Sequence, residues 1–185
     1  MHNFDYLKKF VYPLFSKEIP TENFFNPVSN KEIEETEKGL GFAFPNDLKF
    51  FYKEIGSGCL RNSNKVSLDH KSYLYNMIMP PEVSARFYCA VRDREIDEPP
   101  HFNEEYYMST EAVEDFEPGD LPFFEIGDSS SFLIMKPHSD NPNAVWADKY
   151  TKIEDSFERF IWRLYHEDPG YYGEIIYPTS SFSHD

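Results

Sequence analysis

Histidine is the side chain best suited to acid–base catalysis and metal binding near neutral pH, and this sequence has six histidines. They stand at positions 2, 70, 101, 138, 166 and 184, so no pair has the i, i+4 spacing that puts two ligands on one helix face. The run His166, Glu167, Asp168 combines three ligand types, but it falls at the predicted end of a helix, where a solvated polar terminus is the commoner meaning. The histidines therefore predict no metal site.

Nucleophilic and phosphate-binding motifs are not indicated either. Ser129 to Ser131 lie in "GDSSSF", which is typical of a hairpin turn and lacks the G-x-S-x-G pattern of a nucleophile elbow. "GSG" at 56–58 reads as a helix stop, without the Lys and Ser/Thr of a phosphate loop. Adjacent acids such as Glu114 and Asp115 suit acid–base chemistry, but a chain with 33 acids holds many such pairs by chance. We predict a protein that is not an enzyme and that has no cofactor.

The cysteines and the N-terminus indicate the compartment. Cys59 and Cys89 are too few and too far apart for a disulfide framework, which favours two thiols in a reducing compartment. Charges at Asp5, Lys8 and Lys9 interrupt the N-terminal apolar run, unlike a signal peptide. No run of eighteen apolar residues is present. The sequence predicts a cytoplasmic protein that does not bind membranes.

Net charge indicates the kind of partner. The chain carries 18 Lys and Arg against 33 Asp and Glu, a net charge of −15, which repels nucleic acid and anionic lipid and favours a basic protein partner. Residues 92–120, here called the acidic segment, hold eleven of the acids and only Arg92 and Arg94 as cations, so this segment alone contributes −9. The acids there are Asp93, Glu95, Asp97, Glu98, Glu104, Glu105, Glu111, Glu114, Asp115, Glu117 and Asp120.

The acidic segment has two readings, a solvated loop that maintains solubility or a face that binds a partner. Aromatic residues are interleaved with its acids, a composition typical of interface anchors within a polar rim. The same aromatics could instead tether a long loop to the core. On the binding reading, the predicted contact residues are Glu104, Glu105, Tyr106, Tyr107, Glu114, Asp115, Phe116, Glu117 and Asp120.

Helical periodicity marks the elements that would carry such a face. A chain of 185 residues is long enough for one domain that buries roughly 70% of its unfolded surface. Residues 3–11 predict a short helix, and residues 16–28 a connector. Ser29 and Glu32 have capping-box spacing before a helix over 30–40, and a second helix runs from Pro45 to about residue 55. A further helix, "SFERFIWRLYH", repeats the i, i+3, i+4, i+7 apolar stripe.

Strand signals fill the remainder of the chain. Residues 60–88 predict one or two strands, a turn at Pro80 and Pro81, and a short helix over 82–88. Three apolar runs, "LPFFEIG", "SFLIMKP" and "AVWADKY", are separated by turn formers and predict an antiparallel meander. Residues 171–185 predict one further strand, "YYGEIIYP", before a polar tail.

The order of these parts resembles the SUKH superfamily of Smi/Knr-type proteins. "IEETEKGLGFAFPNDLKFFYKEIGSG" looks like the opening signature of that family, "LPFFEIGDSSSFLIM" like its central hairpin, and "AVWADKYTKIEDSFERFIWRL" like its closing strand and helix. The resemblance covers roughly residues 29–166. The first 28 residues lie outside it, and the acidic segment is longer than the pattern needs.

The resemblance implies an α+β fold with a largely antiparallel sheet and helices packed against it. It divides the chain into an N-terminal extension, residues 1–28, and a SUKH-like domain, residues 29–185. It also implies an immunity protein that neutralises a cognate toxin domain, often a nuclease; the alternative is a non-catalytic intracellular scaffold. The resemblance also implies that the signature positions are structural and not catalytic: Leu48, Phe51, Tyr52, Ile55, Gly56, Trp146, Phe157 and Phe160.

Overall fold

The structure is a computed structural model that describes residues 3–12, 23–64, 76–93, 116–126 and 131–176. An N-terminal 3-10 helix spans Asp5–Phe10. The α-helices are α1 (Asn30–Leu40), α2 (Asn46–Glu54), α3 (Pro81–Asp93), α4 (Phe157–His166) and α5 (Gly173–Ile176). The strands are β1 (Phe24–Asn26), β2 (Ser57–Cys59), β3 (Asn76–Ile78), β4 (Leu121–Ile126), β5 (Ser131–Met135), β6 (Val145–Trp146) and β7 (Lys152–Glu154).

The seven strands form one sheet in the order β1 to β7, and every neighbouring pair is antiparallel. Helices pack against this sheet, so the predicted α+β fold is confirmed. The predicted meander is also confirmed, although "AVWADKY" does not form one strand. It contributes β6 and then a turn that leads to the additional strand β7.

Local sequence signals account for three of the α-helices. The Ser29 hydroxyl accepts a hydrogen bond from the Glu32 N–H at 3.2 Å, and the Glu32 carboxylate accepts one from the Ser29 N–H at 2.7 Å, so α1 opens on the predicted capping box. Helix α2 follows Pro45 as expected. Ser156 caps α4 by accepting a hydrogen bond from the Arg159 N–H at 3.2 Å.

The apolar faces of α2 and α4 meet in the first of two buried clusters. Phe51 of α2 lies at its centre, with its ring centroid 5.0 Å from that of Phe4, 5.6 Å from that of Phe25 and 5.3 Å from that of Phe157. Edge-on ring contacts of this kind add to the hydrophobic gain from burial. The N-terminal 3-10 helix and β1 are therefore packed into the same core as α2 and α4.

The second cluster lies on the opposite face of the sheet. Side chains alternate along a strand, and on β5 Leu133 and Met135 belong to the first cluster, whereas Phe132 and Ile134 belong to the second. The second cluster consists of Met79, Val83, Phe87, Val91, Phe116, Phe132 and Ile134. Helix α3, which is longer than predicted, supplies three of these residues.

Two sequence predictions need correction, and the kind of one predicted helix becomes clear. Residues 24–26, predicted as part of a connector, form β1 because Phe24 and Phe25 are buried and pair with β2. The predicted strand "YYGEIIYP" is wrong within the described residues, since Tyr171 and Tyr172 lie in a turn and α5 follows. The Tyr172 hydroxyl donates to Asn76 Oδ1 at 2.5 Å, which fixes this turn on the core. The short helix predicted over residues 3–11 is confirmed, and it is a 3-10 helix over Asp5–Phe10.

Candidate functional site

The predicted contact residues divide between described and undescribed parts of the chain. Phe116, Glu117 and Asp120 are described, whereas Glu104, Glu105, Tyr106, Tyr107, Glu114 and Asp115 lie outside the described residues. Glu117 is exposed. Phe116 and Asp120 are buried, with 3% and 4% of their surface exposed. The structure thus places two of the nine beneath the surface, at the base of the acidic segment.

Both ends of the acidic segment start from the second cluster. Val91 of α3 is fully buried there immediately before the segment begins, and Phe116 is buried in the same cluster near its end. Within this cluster the rings of Phe87 and Phe132 are in edge-on contact, with their centroids 5.3 Å apart. Apolar contacts in this cluster therefore hold the two described ends of the acidic segment close together.

A tight turn joins the acidic segment to β4. The Asp120 carboxylate accepts a hydrogen bond from the Glu117 N–H at 2.9 Å, and the Asp120 N–H donates to the Glu117 carbonyl at 2.9 Å. Gly119 has φ of 108°, a conformation that side chains disfavour. Burial raises the pKa of the Asp120 carboxyl, although the Glu117 N–H and the ammonium of Lys136 act in the opposite direction.

The raised pKa of Asp120 predicts a pH-dependent difference in stability. Because the folded-state pKa lies above the unfolded value, the ionised carboxylate opposes folding at neutral pH, and this penalty disappears as the pH falls through the folded-state pKa. We expect the free energy of unfolding of the wild type, minus that of Asp120→Asn, to increase between pH 7 and pH 4. Urea unfolding of both proteins measures it. A difference that stays constant or decreases on acidification contradicts the prediction.

The candidate metal ligands at the end of α4 and the buried Cys59 have structural roles. Helix α4 ends at His166, which confirms the predicted helix terminus. Glu167 pairs with Arg163 at 2.7 Å, and the Asp168 carboxylate accepts the Gly170 N–H at 2.8 Å. Burial raises the pKa of Cys59 to about 12, which keeps it a thiol at neutral pH.

Two further observations concern sites and membranes. Within the described ranges, no three His, Cys, Asp or Glu side chains come together in a group that could hold a metal ion. His2, His70, His101 and His184, and also Ser129 and Ser130, lie outside those ranges. Of the helices that could be searched in the described chain, none is both long and apolar enough to cross a bilayer.

One prominent surface feature, the turn between β6 and β7, was not predicted from the sequence. Asp148 Oδ1 accepts hydrogen bonds from the N–H groups of Tyr150 at 2.7 Å and Thr151 at 2.8 Å. Tyr150 is 79% exposed. An aspartate whose side chain bonds to the backbone two residues on is a turn signal, but the apolar run "AVWADKY" indicated a strand at this position.

Comparison with known proteins gives a family and a relative. The model of the SMI1 / KNR4 family (SUKH-1) matches residues 27–163. The chain is similar to a Bacillus subtilis (strain 168) protein named immunity protein YxxD, with 29% identity over 155 residues that cover 84% of this chain and 91% of the relative. No solved structure gives a significant match.

Proposed function

Because this chain belongs to the SMI1/KNR4 family (SUKH-1), we propose that it is an immunity protein, which binds one cognate toxin domain and blocks it. The observation that carries this proposal is the similarity to immunity protein YxxD, which extends over 84% of this chain and 91% of the relative. A relation over a whole domain supports a shared role better than a shared motif does. The role proposed here is binding, without catalysis.

We propose further that the toxin is a nuclease and that inhibition works by charge complementarity. A nuclease must hold phosphates, so its substrate groove is positively charged. The acidic segment concentrates −9 of the net −15 charge and starts from one buried base, which suits it to occupy or flank such a groove. Opposite charges also accelerate the encounter of the two proteins.

In this proposal the acidic residues form the outer contact surface and two of the predicted residues support it from below. Glu117 is exposed beside the base, and Glu104, Glu105, Glu114 and Asp115 supply the charge, with Tyr106 and Tyr107 as anchors. Phe116 holds the segment to the second cluster, and Asp120 shapes its final turn. The complex forms in the cytoplasm, where a nuclease toxin would meet its substrate.

The proposed function is tested with the protein encoded immediately upstream of the gene for this chain, which the proposal expects to end in a toxin domain. Cells that express that domain alone are expected to stop growing, and co-expression of this chain is expected to restore growth. The purified domain should degrade nucleic acid, and one equivalent of this chain should stop it. A nuclease of unrelated sequence serves as the control and should stay active. Equal killing with and without this chain contradicts the proposal.

A further inference from the structure

Tyr150 is the most exposed large apolar residue in the described part of the chain, at 79%, compared with 44% for Trp162 and 38% for Tyr12. It lies in the turn between β6 and β7. A ring this exposed contributes little to folding, because hydrophobic stabilisation scales with the area removed from water. The same area is available for burial against another protein.

The backbone that carries Tyr150 is held rigidly. Besides the two hydrogen bonds accepted by Asp148, the Ala147 N–H donates to the Thr151 carbonyl at 2.8 Å, and Lys136 Nζ donates to the Lys149 carbonyl at 3.0 Å. Partial burial opposes the charge on Asp148, but the donated hydrogen bonds and Lys136 outweigh it and lower its pKa. A preorganised loop loses little conformational entropy on binding, so more of the contact energy appears as affinity.

Lys136 connects this turn to the base of the acidic segment. Leu121 pairs with Met135, so Asp120 and Lys136 are the next residues outward on neighbouring strands, and the Lys136 charge acts on both Asp120 and Asp148. Lys136 Nζ also lies 4.8 Å from the ring centroid of Trp146, which packs against the second cluster. The Tyr150 turn and Asp120, at the base of the acidic segment, therefore lie side by side.

We propose that Tyr150 is an apolar anchor of the toxin interface, next to the described base of the acidic segment at Glu117 and Asp120. The inference rests on the proposed function and names the contact that holds the complex once charge has brought the partners together. The partner feature that fits is an apolar pocket beside the basic groove of the toxin domain. Tyrosine is among the residues that dominate interface energies, because its rigid ring buries a large area at a small entropy cost.

The test measures binding of the upstream-encoded toxin domain to wild type, Tyr150→Ala and Tyr150→Phe by surface plasmon resonance. Truncation of a central anchor is expected to raise Kd about 30-fold or more, mainly through faster dissociation. Tyr150→Phe keeps the ring and should retain most of the affinity. Trp162→Ala removes the next most exposed ring, on the outer face of α4, and should leave Kd unchanged. Thermal melting of Tyr150→Ala and Tyr150→Phe should match the wild type.

The outcomes separate this inference from the proposed function. If the wild type binds and neutralises the toxin domain while Tyr150→Ala has the wild-type Kd, Tyr150 is not an anchor and the proposed function stands. A wild type that does not bind the toxin domain overturns both. An equal loss of affinity in Tyr150→Ala and Trp162→Ala also overturns the anchor, since it points to a general effect of removing a surface ring.

Discussion

A triple variant with Glu114→Gln, Asp115→Asn and Glu117→Gln is expected to associate with the toxin domain roughly tenfold more slowly than wild type at low ionic strength. The logarithm of the association rate increases with the electrostatic attraction between the two surfaces, and these substitutions remove a third of the net charge of the acidic segment, from −9 to −6. Salt screens the attraction, so the salt dependence of the association rate should also become shallower. Stopped-flow mixing over a range of salt concentrations measures both effects.

A matched triple variant distinguishes local from overall charge. Glu34, Glu35 and Glu174 are exposed residues of α1 and α5, and Gln at these positions changes the net charge by the same amount, from −15 to −12. We expect this control to associate nearly as fast as wild type. If both triples slow association equally, net charge and not the acidic segment provides the attraction. If neither does, inhibition by charge complementarity is wrong.

Melting temperature provides the second control for this experiment. Glu117 takes part in the turn through its backbone N–H and carbonyl, and its carboxylate is exposed, so Glu117→Gln leaves that turn intact. Surface charges away from buried networks usually change stability little. The triple variant should therefore melt close to the wild-type temperature. A slower association rate would then report the interface and not partial unfolding.

The parts of the fold that the sequence predicted are those that depend on residues close together in the chain. Capping residues act over three positions, and the stripes of α2 and α4 follow the helical period, so Ser29, Phe51 and Phe157 were interpreted correctly from their neighbours alone. Strand β1 was missed because three residues between prolines carry no periodic signal. Its pairing with β2 is a long-range contact, which no local pattern specifies.

The candidate site was less predictable because the exposure of its residues depends on contacts between distant parts of the chain. Charge and aromatic content indicated residues 92–120, but they could not distinguish Phe116, which is buried, from an exposed anchor. The short apolar run "AVWADKY" assigned Tyr150 to a strand, whereas two hydrogen bonds to Asp148 place it in a turn. Exposure depends on which surfaces pack together, and composition alone does not determine that.

Gly56, the first glycine of "GSG", has a structural role that its neighbours in the sequence did not indicate. Gly56 was predicted as a helix stop, and α2 does end at Glu54. The structure adds that β1 lies against this backbone. A Cβ atom on Gly56 would stand 1.9 Å from the Asn26 carbonyl oxygen and 2.7 Å from its carbon, and φ at Gly56 is 108°. Both the clash and the dihedral angle require glycine here.

The substitution Gly56→Ala is expected to lower the free energy of unfolding by about 3 kcal/mol or more, because the backbone of β1 must move away and the new side chain holds a disfavoured φ. The corresponding fall in melting temperature is roughly 6 to 12 °C for a domain of this size. Urea unfolding measures the stability. Hydrogen exchange should show the first loss of protection in β1, whose Phe25 also bridges to Val11 of the N-terminal segment.

Gly39→Ala is the matched control, because the same chemical change is made where the structure has room. Gly39 lies within α1, and a Cβ there would meet nothing within 4 Å. Alanine in a helix is more favourable than glycine by about 0.5–1 kcal/mol, so this variant should be slightly more stable than wild type. If Gly56→Ala unfolds at the wild-type urea concentration, β1 does not pack against this glycine. Opposite shifts in the two variants would show that close backbone approach, and not glycine flexibility in general, makes position 56 sensitive.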